Sequence, residues 1–220
     1  MKLMWTKNQR AKRGFSLAEF AIVMAVAGTI FGGIWVVSAS MNENAKQQKF
    51  TELLSTIVEN IRGSYTTRPF FESTLVTTMM PLLTSMNVFP GDSVKKSGTV
   101  SVVVSPFGEM TNPQYAASPY KSIYVCGWAD GATTSTRCIL TGAATSNVPL
   151  FAIEAILSPE DCINAVMRNS DPAARPGLVA VYIDGDKQAL PMNLQKATSS
   201  TTGCKQLTVN YVDFVYRLAP

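Results

Sequence analysis

The stretch between Arg10 and Met41 limits what this chain can fold into more than any other. A basic run, Arg10, Lys12 and Arg13, ends at Gly14. From Phe15 through Met41 the only ionisable side chain is Glu19. Phe20 to Met41 is an uncharged run of 22 residues, long enough to cross a bilayer as a helix. A carboxylate costs roughly 2.5–3.5 kcal/mol at the centre of such a segment on insertion scales and less toward its ends, and an ionisable residue within a span marks a functional position. A secretory signal would instead put a small-residue cleavage site behind an apolar core of about 7–15 residues. Ala27-Gly28-Thr29 or Ser38-Ala39-Ser40 would serve, behind a core longer than usual.

Charge and composition narrow the function classes. The formal charge is +4, from 19 basic against 15 acidic residues. Lys2, Lys7, Arg10, Lys12 and Arg13 all lie before Phe15, with no acid among them. Without those five the balance is 14 against 15, or −1. The basic residues therefore read as topogenic charge on the cytoplasmic side of a membrane, not as a nucleic-acid footprint. There is no histidine, which removes the commonest general base and metal ligand. No nucleophile elbow, phosphate loop or paired-carboxylate signature appears. The expectation is a protein that is not an enzyme and needs no cofactor or metal.

The segment after the basic run carries two patterns in series. Gly28 and Gly32 form a small-xxx-small pair with Gly33 beside them, a face that lets another helix approach closely. Each glycine also weakens the helix by up to about 1 kcal/mol relative to alanine. From Met41 the pattern turns amphipathic. Polar residues alternate with an apolar stripe at Phe50, Leu53, Leu54, Ile57, Val58 and Ile61, at spacings of three and four that mark one helical face. One helix over 15–64 is expected, about 70 Å long at 1.5 Å per residue, with Gly63 as its stop. Its second half needs a partner for its apolar face.

The remainder, residues 65–220, reads as an α+β head with an antiparallel β-sheet. A connector runs from Tyr65 to Pro69. A second helix is expected over Glu72–Met80, ended or kinked at Pro81, with at most a further turn to Met86. Phe89-Pro90-Gly91-Asp92 is a turn signal, and Lys95-Lys96 reads as an exposed turn. Val100–Ser105 alternates as a half-buried strand, and a loop runs from Pro106 to about Pro119. Ser122–Trp128 is strand-like, Arg137–Leu140 a returning strand with a polar segment, 131–136, before it. Leu150–Ile156 is apolar and of either type. Ser158-Pro159-Glu160-Asp161 opens a helix to Asn169 with a capping pattern. Leu178–Ile183 is a strand, and Asp184-Gly185 a hairpin turn. Asp184-Gly185-Asp186 also matches half of a calcium loop, the weaker reading. A Ser/Thr-rich loop leads to Cys204, and Leu207–Tyr216 is a final long strand.

Gly14-Phe15 with Glu19 and the uncharged run behind them resembles the processing site of type IV prepilins and the related pseudopilins. The resemblance implies a leader, residues 1–14, removed after Gly14 by a membrane peptidase. It implies N-methylation of Phe15 and an assembly role for Glu19, paired with the Phe15 amine of another subunit. It implies a long N-terminal helix, membrane-embedded and then filament core, packed on a globular head. The helix followed by Met86–Asp92 is similar to type IVb pilins, where a helix leads into a Pro-x-Asp turn. Phe15 and the short leader are more usual in type IVa. Partners would be further copies in a helical homopolymer, the prepilin peptidase and the assembly machinery of the inner membrane, and a host cell, recipient cell or surface receptor. Localisation would be the bacterial inner membrane, then a surface pilus used for adhesion, motility, aggregation or conjugation. A minor or tip pilin acting as adhesin, and a type II secretion pseudopilin, are the alternatives.

Four cysteines, Cys126, Cys138, Cys162 and Cys204, lie beyond the apolar segment. An even number there points to two disulfides in an oxidising compartment, with three pairings open. Without a close Cys-x-x-Cys pair they serve zinc poorly. The type IVb resemblance implies the pairing Cys162–Cys204, which leaves Cys126 with Cys138.

Overall fold

The computed structural model describes residues 16–67, 70–97, 100–108, 123–129, 138, 147–206 and 208–219. The expected leader, the Gly14–Phe15 junction, Pro69, the polar segment 131–136 and most of the loop 106–119 lie outside them. So does the expected returning strand Arg137–Leu140, apart from Cys138, which belongs to no strand. The chain divides into two units, Met1–Asn44 and Ala45–Pro220. Helix α1, Leu17–Ser64, supplies nearly all of what is described in the first and the opening of the second. It passes through Gly63, the expected stop, and ends one residue later.

The second unit is α+β. Its sheet has seven strands in the order β1-β2-β3-β4-β7-β5-β6, every neighbouring pair antiparallel. The strands are β1 Val94–Ser97, β2 Val100–Val103, β3 Ile123–Trp128, β4 Leu150–Leu157, β5 Leu178–Ile183, β6 Asp186–Lys187 and β7 Asn210–Arg217. The central pair is β4 and β7, in register from Leu150 opposite Arg217 to Leu157 opposite Asn210. Their near-continuous apolar sequences fit strands covered on both faces. Leu150–Ile156, whose type the pattern left open, is thus a strand, and all eight residues of β4 are buried.

The apolar stripe of α1 finds its partner here. Phe50, Leu53, Leu54, Ile57, Val58 and Ile61 are all buried in the second unit's core. The Phe50 ring lies 6.3 Å from that of Phe214 on β7. A run of stacked rings ties the connector after α1 to the central strands. Tyr65 stacks on Phe71 at 4.8 Å, Phe71 on Phe151 at 5.5 Å, and Phe151 on Tyr216 at 5.6 Å.

Three local expectations need correcting. Helix α2 is Val76–Ser85: it starts later than Glu72 and takes the further turn allowed toward Met86. Its start slips because residues 72–74 have other bonds. The Glu72 carboxylate accepts from the Tyr65 hydroxyl at 2.7 Å, the Ser73 hydroxyl accepts from the Leu75 amide, and the Ser73 carbonyl accepts from Gly127 on β3. Pro81 lies inside the helix without ending it. Lys95 and Lys96 sit not in a turn but on β1, the sheet's edge, where lysines discourage edge-to-edge pairing. The loop before Cys204 contains a short helix, α4 Leu194–Ala197.

Candidate functional site

The N-terminal unit carries the feature with the clearest functional content. Among its described residues, Phe20, Ile22, Val23, Met24, Val26, Ile30, Phe31, Ile34, Trp35, Val37 and Met41 are each more than half exposed. This is α1's own apolar surface with nothing covering it, far more than a soluble monomer leaves bare. By length and composition the helix can cross a membrane, a criterion that a signal sequence also meets. Two of its hydroxyls are satisfied by its own backbone, as a water-free environment requires. The Thr29 hydroxyl donates to the Val26 carbonyl at 2.8 Å and Ser40 to Val37 at 2.9 Å. The helix is unbroken through Gly28, Gly32 and Gly33. A Cβ added at any of the three would meet nothing within 4 Å, so this small-residue face is open in the single chain.

Glu19 lies in the first turn of α1, and the structure gives it a local partner that the sequence reading missed. The Ser16 amide donates to Glu19 Oε2 at 2.9 Å, and the Glu19 amide donates to Ser16 Oγ at 3.2 Å. This is a capping box, in which two orphan amides at the helix start are satisfied reciprocally. The signal was present as Ser-x-x-Glu directly ahead of an apolar run. Gly14 and Phe15, the expected cleavage and methylation positions, lie outside the described residues.

In the second unit the cysteines are joined as Cys126–Cys138 and Cys162–Cys204, with Cα separations of 5.6 and 5.9 Å. Cys162 is on the buried face of α3, Pro159–Asn169, beside Val166. Helix α3 starts where its capping signal puts it, with the Ser158 hydroxyl accepting from the Asp161 amide. The second bridge therefore ties α3 to the segment that leads into β7.

The C-terminal turns of α1 are held by arginines. Arg62 donates through Nε and Nη2 to the Arg217 carbonyl at 3.2 and 3.1 Å, and through Nη2 to Pro176 at 2.9 Å. Gly177, at φ +79°, leaves the room this guanidinium occupies. Arg175 donates to Ser55 Oγ at 2.5 Å and to Asn169 Oδ1 at 2.7 Å. Burial lowers the Arg62 pKa from its usual value. Burial pushes the Tyr216 phenol up to about 12, with Arg175 and Arg62 pulling the other way.

Two acidic groupings bear on metal binding. Asp184 and Gly185, at φ 50° and 88°, form the two-residue hairpin turn between β5 and β6. The Asp184 carboxylate accepts from the Tyr211 amide at 3.0 Å, and Asp186 pairs with Lys205 at 2.6 Å. Both carboxylates of the half-loop are engaged within the fold. Glu154 and Asp213 face each other across β4 and β7, fully buried. Their carboxylates and the Cys138 sulfur lie within 4.8 Å of one another. That sulfur is bonded to Cys126 and offers no thiolate, and Glu154 accepts from the Cys138 amide at 3.2 Å. The sequence hid this pair because each acid sits inside an otherwise apolar strand.

No family model matches this chain, and no curated protein or solved structure is a significant match to it.

Proposed function

We propose that this chain is a structural subunit of a type IV pilus, cut after Gly14, N-methylated at Phe15 and polymerised through its N-terminal helix. The observation that carries the reading is the pairing of opposites on one helix. Up to Asn44, α1 bares its apolar side chains and holds a single carboxylate in its first turn. From Phe50 onward its apolar face is the core of an α+β unit. The bare surface suits two successive environments, a bilayer and then a bundle of identical helices. In each, burial is worth roughly 25 cal/mol per Å² of apolar area removed from water. Gly28, Gly32 and Gly33 supply the close-approach face for that bundle.

In the assembled state Glu19 pairs with the Phe15 amine of a neighbouring copy. Breaking such a buried pair by removing one partner costs about 3–5 kcal/mol, enough to make the carboxylate decide register between subunits. The disulfide-held unit forms the filament's outer layer. The peptidase and assembly machinery of the inner membrane act on the chain before it leaves the membrane. The chain's role is structural, with no catalysis of its own.

The test is Glu19→Ala in cells that carry the processing and assembly machinery. The variant chain is expected to reach the membrane and lose residues 1–14 as the parent does, yet to yield few sheared filaments. Normal filament yield from Glu19→Ala refutes the reading. A filament in which this chain is only a trace component would make it a minor or tip subunit.

A further inference from the structure

The reciprocal bonds at the start of α1 assign a role to Ser16. The first amides of a helix have no intrahelical acceptor, and in hydrocarbon no water stands in for them. Ser16 and Glu19 satisfy two such amides with each other's side chains, at 2.9 and 3.2 Å. The closure occupies Oε2 of Glu19. Among the described residues Oε1 accepts no hydrogen bond, so one oxygen stays available to a cation while the other is pinned. The pinned carboxylate also lies at the positive end of the helix dipole, where an anion is favoured. An acid at the head of an apolar run is thus accommodated by the chain itself before any neighbour arrives.

We propose that Ser16 is a positioning residue for assembly, holding the Glu19 carboxylate at the helix end so that its second oxygen receives the cation of an incoming copy. This rests on the filament reading above, in which that cation is the amine of Phe15. Ser16 then acts through Glu19 and needs no contact with the neighbour. An unpinned glutamate would sample many rotamers, and the arriving amine would have to order it at the moment of docking.

Three variants test this in the same cells. Ser16→Ala removes the hydroxyl and keeps the charge. Ser16→Thr restores a capping hydroxyl. Glu19→Gln keeps the capping geometry, since glutamine serves at that position, and removes the charge. Losing a cap shifts the first-turn equilibrium about fivefold. Ser16→Ala is therefore expected to lower filament yield by at least about that factor while membrane level and cleavage after Gly14 stay unchanged, and Ser16→Thr to restore the yield. Parental yield from Ser16→Ala overturns the proposal, as does failure of Ser16→Thr to rescue. If Ser16→Ala alters cleavage itself, amide exchange decides. In micelles the Glu19 amide, which donates to the Ser16 hydroxyl, should exchange at least about fivefold more slowly in the parent chain than in Ser16→Ala, and equal rates refute the role of that hydroxyl. Failure of the wider reading looks different, because Glu19→Gln and Glu19→Ala would then both assemble normally whatever Ser16 does.

Discussion

Phe50→Ala and Phe31→Ala are the same substitution on the same helix, and the structure predicts opposite consequences. Phe50 is wholly buried, its ring 5.1 Å from Phe107 and 6.3 Å from Phe214. Phe214 is on the central strand β7, paired on both sides, and Phe50 is held by helical backbone. Strand β7 cannot collapse far into the void left by the ring. Truncation of a buried phenylalanine costs about 3–5 kcal/mol, least where the site relaxes, so Phe50→Ala belongs toward the upper end. That is a large fraction of the about 5–15 kcal/mol by which domains are stable. Phe31 is 71% exposed, and truncating it should change the stability of the second unit by less than about 0.5 kcal/mol. Under the proposed filament function its cost is expected in assembly instead, as lost filament yield. The assay is urea unfolding of the disulfide-intact chain in detergent, followed by near-ultraviolet circular dichroism. A loss under about 1 kcal/mol for Phe50→Ala, or equal losses for the two variants, would refute the division of the helix into a core half and a bare half.

Two further predictions concern the second unit. Tyr216 has its pKa raised from 10.0 to about 12, so its protonated form is favoured by folding. Its stabilising contribution is complete below pH 10 and is lost as pH rises toward 12. By pH 11 the parent should lose on the order of 1 kcal/mol relative to pH 8 that Tyr216→Phe does not lose, and parallel stability–pH curves would contradict this. Opening Cys162–Cys204, which closes 42 residues, should cost about 4 kcal/mol, and opening Cys126–Cys138, which closes 12, about 3 kcal/mol. Paired Cys→Ala variants in urea measure both, and the reverse order would show that native-state contacts outweigh loop closure.

What the sequence disclosed follows how local each cause is. The long helix was legible because two patterns run end to end, an uncharged run and then a stripe at spacings of three and four. The turn at Asp184-Gly185 and the start of α3 at Ser158 were legible because turn and cap chemistry sits within four residues. Helix α2 was misplaced because its start is set by a partner far along the chain, Gly127 bonding the Ser73 carbonyl. Lys95 and Lys96 looked like a solvated turn because an edge strand and a turn can share polar residues. Glu154 opposite Asp213 could not be seen, since their meeting depends on the register of β4 against β7. The Ser16–Glu19 box was local and readable.

The central claim is that the bare apolar helix is a polymerisation surface. A cryo-EM reconstruction of filaments sheared from cells expressing this chain tests it most directly. The account predicts this chain as the main subunit, beginning at a methylated Phe15, with Phe20 through Met41 buried among neighbouring helices. It also predicts Glu19 within hydrogen-bond reach of another copy's N-terminal amine. Filaments that lack this chain, or that contain it with residues 1–14 still attached and the apolar helix outside the core, would contradict the account.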